Sequence, residues 1–442
     1  MSKLLLRGGC VLTMGVKTQN HAAADVLIDG ETIAEIGQGL RARDAEVVDA
    51  TDTIVMPGFV DTHRHACRAL FRNLGASIPG STPVSSASFG DHYTSDDVYA
   101  GTLIGLLGAV EAGITTVVDR FDARTDVAAA EAALQAHTDS GLRTVFVYAA
   151  RRETREGEPV PPTDPELISR LTAAAGHTTT VAFGSVVPAA GDPDGVALEW
   201  GRARESGLRI HAHGGWGSID PGGLAAVAQL LGDDVVLAHC SRFDAADLDA
   251  VAASGACVSL APSSEMAGGL GAPPIQELID RDIRPGLGVD DELMGPGDVF
   301  AQMRGTISVQ HATVFDRKLS GKAGLPRLMT TRDVIRCATS DGARVAGVGE
   351  LTGSLEPGKQ ADVVVLRTDR PNIYPINDPI GAVVWGMDTS NVDRVIAGGR
   401  TLMAEGVLAG DVERARSLAE AARERVAAAA GLTVGAAPGA GG

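Results

Sequence analysis

One phrase recurs along the chain: a helical pattern, a small residue, a glycine, then a run rich in β-branched residues. It reads "EAGITTVVD", "DSGLRTVFVYA", "AAGHTTTVAFGSVV", "ESGLRIHAHG" and "ASGACVSLAP", with Gly113, Gly141, Gly176, Gly207 and Gly255 at the junctions. Glycine there suits the left-handed residue that closes a helix. The apolar run that follows suits a strand covered on both faces. Two less regular copies, "GDDVVLAHCS" and "RPGLGVDDE", extend the series, and "IVMPGFVDTH" stands at its front. Eight strands alternating with helices predict an α/β chain whose centre, residues 57–350, is a (β/α)₈ TIM-type barrel. An open doubly wound sheet is the competing arrangement, and the lack of a GxGxxG loop after the first strand weakens it.

The flanking segments have another texture. "KLLLRGGCVLTM", "ADVLIDGETIAEIGQ" and "AEVVDATDTIV" alternate short strands with Gly- and Asp-rich turns, and "GSLEPGKQADVVVLRTD" and "VDRVIAGGRTLMAEG" repeat that texture late in the chain. The expectation is a small β-sandwich domain built from both ends, residues 1–56 and 351–411. A helix with one polar face follows over 412–431, and a tail without regular structure over 432–442.

Composition narrows the function. The 442 residues have room for a barrel and a smaller partner, and 44% of them are hydrophobic, as in globular proteins generally. A net charge of −18 argues against nucleic acid and anionic membrane surfaces as partners. The five cysteines, Cys10, Cys67, Cys240, Cys257 and Cys337, form no CxxC pair, which suits reduced thiols and a cytoplasmic location. No apolar run approaches the length of a membrane span or a signal sequence.

Chemistry on a barrel of this kind sits at the C-terminal ends of its strands. The first strand ends in His63 and His65, the fifth in His211 and His213, the sixth in His239, and the eighth in Asp290 and Asp291. Strand alternation turns His63 and His65 the same way, and likewise His211 and His213. A lone HxH pair is a weak motif, but two pairs, a further histidine and an aspartate at successive strand ends point to a metal site. Neutral imidazole and carboxylate are the ligands of zinc or a similar divalent ion.

The motifs "PGFVDTHRH", "HAH", "LAHCS" and "LGVDD" resemble the amidohydrolase superfamily, in the branch of triazine chlorohydrolases and of cytosine and guanine-type deaminases. The resemblance spans nearly the whole chain. It implies one divalent metal ion (Zn²⁺ first, with Fe²⁺ or Mn²⁺ as alternatives) held by His63, His65, His213 and Asp290. Asp290 would also shuttle protons, and His239 would stand beside the attacking water. The fourth strand, "TVAFGSVVP", offers no lysine for carbamylation, which favours a single ion. His213 lies further toward the barrel mouth than His211 and matches the family ligand, leaving His211 to the core.

One position departs from the pattern. Many deaminases of this branch carry a glutamate three residues after the fifth-strand histidine to protonate the substrate ring; here that position is Trp216. An indole can stack against a ring but gives up no proton near neutral pH. Weak turnover of cytosine, guanine and adenosine is therefore expected. The expected substrate has an activated leaving group or a strained amide. The other candidate substrate contacts are Glu265 after the seventh strand, His92 on the Gly/Ser/Pro-rich stretch 71–95, and Arg68 and Arg151. Arg72 and Arg152 are similar, and for each arginine a solvated surface role competes. Asp119 could orient a neighbour, and His137 and His177 read as structural.

Together these features imply a metal-dependent hydrolase, and the resemblance implies that it cleaves carbon–nitrogen bonds other than peptide bonds in a small cyclic or heteroaromatic substrate. A homo-oligomer, dimer or tetramer, is expected. The alternative on the same scaffold is a non-hydrolytic lyase, decarboxylase or cyclase of secondary metabolism.

Overall fold

The β-branched runs become the strands of two sheets in the computed structural model, which describes residues 3–16, 18–76, 89–124, 126–149, 165–186, 193–214, 223–432 and 434. The first sheet begins with β1 (Lys3–Val11), β2 (His21–Asp29), β3 (Thr32–Gly37), β4 (Ala45–Asp49) and β5 (Thr53–Pro57). The second contains β6 (Phe59–Arg64), β7 (Ile114–Phe121), β8 (Arg143–Ala149), β9 (Thr179–Val186), β10 (Ile210–His213), β11 (Val235–Ala238), β12 (Cys257–Leu260) and β13 (Gly286–Leu287). These eight are parallel and ordered as in the sequence.

The chain then returns to the first sheet with β14 (Val363–Arg367), β15 (Val392–Ala397), β16 (Arg400–Ala404) and β17 (Val407–Leu408). β14 pairs antiparallel with β5, so strands from both ends of the chain form one nine-stranded sheet. β1 pairs with β4 along its first half and with β5 at its end. That fork lets one apolar core collect Leu6 and Ile33 from the early strands and Val363 and Ile396 from the late ones.

The eight-stranded sheet closes on itself. The Asp290 amide donates to the His63 carbonyl at 2.8 Å, and the His65 amide donates to the Asp290 carbonyl at 2.7 Å. Gly288 makes the approach possible: a Cβ there would lie 2.7–2.8 Å from His63 atoms, closer than real Cβ contacts. Of the five junction glycines, Gly113, Gly141, Gly207 and Gly255 are left-handed. Gly176 is not; it accepts the Thr179 amide in a turn after helix Pro165–Ala174.

Helix Val412–Ala429 packs against helix Ser95–Glu111 and the short 3₁₀ helix Ala66–Phe71 that follows β6. Leu432 and Val434 pack on the core beneath it, whereas residues 435–442 lie outside the described residues. The five cysteines are all free. Among the described residues no helix is long and apolar enough to cross a membrane.

Candidate metal centre

Five side chains converge where the strands end. The Nε2 atoms of His63 and His213 stand 3.1 Å apart, and Asp290 Oδ1 lies 3.5 Å from Nε2 of both His63 and His65. The His239 ring is 5.1 Å from that of His63 and 5.3 Å from that of His213, between centroids. One ligand atom each from His63, His65 and His213 falls within a 4.8 Å group, as does one each from His63, His239 and Asp290. The cluster is almost entirely buried.

Backbone geometry aims these groups. His239, one residue beyond β11, has φ +77°, and Asp290, beyond β13, has φ +66°. A non-glycine residue there costs of order 1–3 kcal/mol and persists only where its surroundings fix it. The His239 amide bonds the Ser259 carbonyl at 2.9 Å, and Asp290 is held by the seam bonds to β6.

A second layer fixes tautomers. His65 Nδ1 lies 3.2 Å from Asp122 Oδ1 and donates to it, which orients the ring. His239 Nδ1 lies 3.2 Å from Glu265 Oε1, which also accepts the Ala261 amide at 2.9 Å. Burial drives the His63 pKa down to about 3, and drives His213 well below the usual histidine range, where Arg120 adds to the effect. These two rings are therefore neutral, the form that binds metal. Burial opposes charge on His239 as well, but Asp290 and Glu265 outweigh it and raise its pKa. The reciprocal holds for Asp290, kept below the usual carboxylate range by His239 and His63 despite burial. Burial raises Glu265.

The donor set fits a divalent cation. Imidazole nitrogens of three histidines and a carboxylate oxygen stand 3.1–3.5 Å from their neighbours, the donor types that a divalent ion takes. Asp290 Oδ2 is buried and meets no hydrogen-bond partner among the described residues. His211, buried below His213, does not enter the cluster; its carbonyl accepts from Arg120 at 3.1 Å.

The other expected residues fall in different places. Glu265, fully buried, meets His239 Nδ1 with its Oε1. Arg68 is no surface arginine: its side chain is 14% exposed and bridges Asp122 and Asp291 at 3.2 Å each. Arg72 pairs with Glu292. Asp119 accepts the Ala66 amide at 2.8 Å and His137 Nε2 at 2.7 Å, so it orients the backbone just past His65. His92 sits in the turn before helix Ser95–Glu111, where its carbonyl accepts from Arg425. Trp216, Arg151 and Arg152 lie outside the described residues. Sequence reasoning did not single out Asp122 or Arg120. Asp122, one residue past the end of β7, stands where a strand-end carboxylate would be sought.

Comparison with known proteins agrees with this picture. A 5-methylthioadenosine/S-adenosylhomocysteine deaminase of Natronomonas pharaonis is 29% identical over 434 residues, covering 91% of this chain and 93% of that protein. An adenosine deaminase from Xanthomonas campestris, solved with bound zinc, superposes with a TM-score of 0.81 at 19% identity, covering 97% of this chain and 99% of that one. An atrazine chlorohydrolase from Arthrobacter aurescens, solved with zinc, gives 0.79 at 22% identity, covering 95% and 100%. At these identities the two structures show a shared fold. The amidohydrolase family model matches residues 54–402, well over half of the sequence, and the chain belongs to that family.

Proposed function

We propose that His63, His65, His213 and Asp290 hold one divalent ion, zinc first, and that the chain uses it to hydrolyse a carbon–nitrogen bond of a small cyclic or heteroaromatic substrate. The observation that carries this reading is the convergence of three Nε2 atoms and the Asp290 carboxylate at the strand ends. Such an ion, when bound, acts as a Lewis acid and lowers the pKa of water toward neutrality.

The residues divide the remaining work. Asp290 takes a proton from the attacking water and returns it to the departing nitrogen, a role that suits a carboxylate with one oxygen that meets no partner among the described residues. His239, anchored at Nδ1 by Glu265, directs its other face toward the charge that develops on the substrate. Burial of the cluster strengthens each of these interactions.

The names of relatives make 5-methylthioadenosine, S-adenosylhomocysteine and adenosine the first compounds to try. Trp216, in place of a ring-protonating glutamate, speaks for weak turnover of cytosine, guanine and adenosine. A panel of these compounds with aminotriazines, assayed for ammonia in water enriched in heavy oxygen, tests both statements. One heavy oxygen in the product per ammonia released is expected. Product without heavy oxygen would move the chain to the lyase or cyclase alternative, and fast adenosine deamination would remove the inference from Trp216.

A further inference from the structure

Three arginines follow the first histidine at a four-residue spacing, Arg64, Arg68 and Arg72, and three acids run consecutively after the last strand, Asp290, Asp291 and Glu292. The fold brings the two sets together. Arg64 bonds Glu292 and Asp61 at 2.7 Å each, and Arg72 also pairs with Glu292. Arg68 takes Asp291, leaving Asp290 as the one acid of the run that faces the histidines.

Arg68 differs from the other two because its fork reaches both sides of the cluster. Its Nη1 donates to Asp291 Oδ2 at 3.2 Å, on the segment that carries Asp290. Its Nη2 donates to both Asp122 oxygens, at 3.2 and 3.3 Å. Asp122 Oδ1 in turn meets His65 Nδ1. A planar guanidinium joins two carboxylates in one fixed geometry, which a lysine ammonium cannot reproduce.

We infer that Arg68 is a positioning residue that clamps Asp122 to Asp291 and so fixes the distance and orientation between His65 and Asp290. It acts through those carboxylates. The inference rests on the metal reading above and concerns how tightly an ion is retained. Removing groups that orient metal ligands typically costs about 10- to 100-fold in metal affinity.

The test uses the full-length protein loaded with cobalt(II), whose visible spectrum reports ligand geometry, and follows its loss to an excess of chelator. Arg68→Gln and Asp122→Asn are each expected to speed cobalt loss by about 10- to 100-fold and to alter the spectrum. The double variant is expected to lose cobalt no faster than the faster single variant, because both break one clamp. Arg68→Lys should fall between wild type and Arg68→Gln, and it carries the same cycle if Arg68→Gln does not fold. Arg170→Ala, an exposed partner of Glu131, should behave as wild type. Cobalt loss at the wild-type rate in the Arg68 variants, or effects of Arg68 and Asp122 that multiply, would overturn the inference and leave the metal reading standing. Failure of the wild type to take up cobalt would remove both.

Discussion

Stripped of metal, the protein should become acid-labile in the range where histidine titrates. His63, His211 and His213 are buried and neutral: burial brings His63 to about 3 and holds the other two well below the usual histidine range. Neighbouring Arg209 adds to the effect at His211, and Arg120 at His213. In the unfolded chain each takes up a proton near pH ~6.5. Below that pH the unfolded state binds protons that the folded state refuses. The stability these histidines contribute is therefore complete above about pH 6.5 and is lost as pH falls toward their folded values. The slope is about 1.4 kcal/mol per pH unit for each ring. Between about pH 6.5 and about pH 5 one histidine costs about 2 kcal/mol and three cost about 6 kcal/mol, against a typical total of about 5–15 kcal/mol. His239, whose pKa is raised, acts in the opposite sense: its contribution is complete below about pH 6.5 and is lost as pH rises toward its folded value, so it does not add to the fall on the acid side. Asp290, whose pKa is lowered, loses its contribution only below about pH 4, where the unfolded carboxylate titrates. Urea unfolding of chelator-treated protein, followed by circular dichroism at several pH values from about 7.5 to about 5, measures the effect. A midpoint that falls by roughly three protons' worth is expected, and His211→Asn should flatten the fall by about one third. A midpoint independent of pH over that range would refute the reasoning.

Two further outcomes follow from the cluster. His213→Ala should abolish uptake of the ion while His211→Ala retains it, read by elemental analysis against a wild-type content of about one ion per chain; the reverse result would mean that His211 is the ligand. Asp290→Asn should lower turnover by at least about 10²-fold in whichever substrate the panel identifies, as expected for loss of a group that moves protons.

The barrel and its histidines were legible because both signals are local. The helix–glycine–strand phrase repeats within windows of a few dozen residues, and two-residue alternation places His63 beside His65 wherever the rest of the chain goes. Counting strands placed Asp290 at the end of the eighth. What lay beyond reach are contacts between residues distant in sequence. Asp122 meets His65 57 residues away, Glu265 meets His239 26 residues away, and Arg68 meets Asp291 223 residues away. Nothing in "HACRALFR" distinguishes a surface arginine from one folded inward; only the acids after β13 decide it. Arg120 reads as an ordinary strand residue until the barrel closes around it.

The seam where Asp290 bonds to β6 has a consequence for how the molecule comes together. The hydrogen bond from Val289 to Asp61, one of those closing the ring, joins residues 228 positions apart. Closing so long a loop is entropically late, since nearby strand pairs can form before it at lower cost. His63 and His65 stand on one lip of that seam and Asp290 on the other. A barrel with seven strands paired and the eighth still loose would carry every histidine of the cluster and still lack its carboxylate. Completion of the ring and completion of the proposed ligand set therefore depend on the same seam.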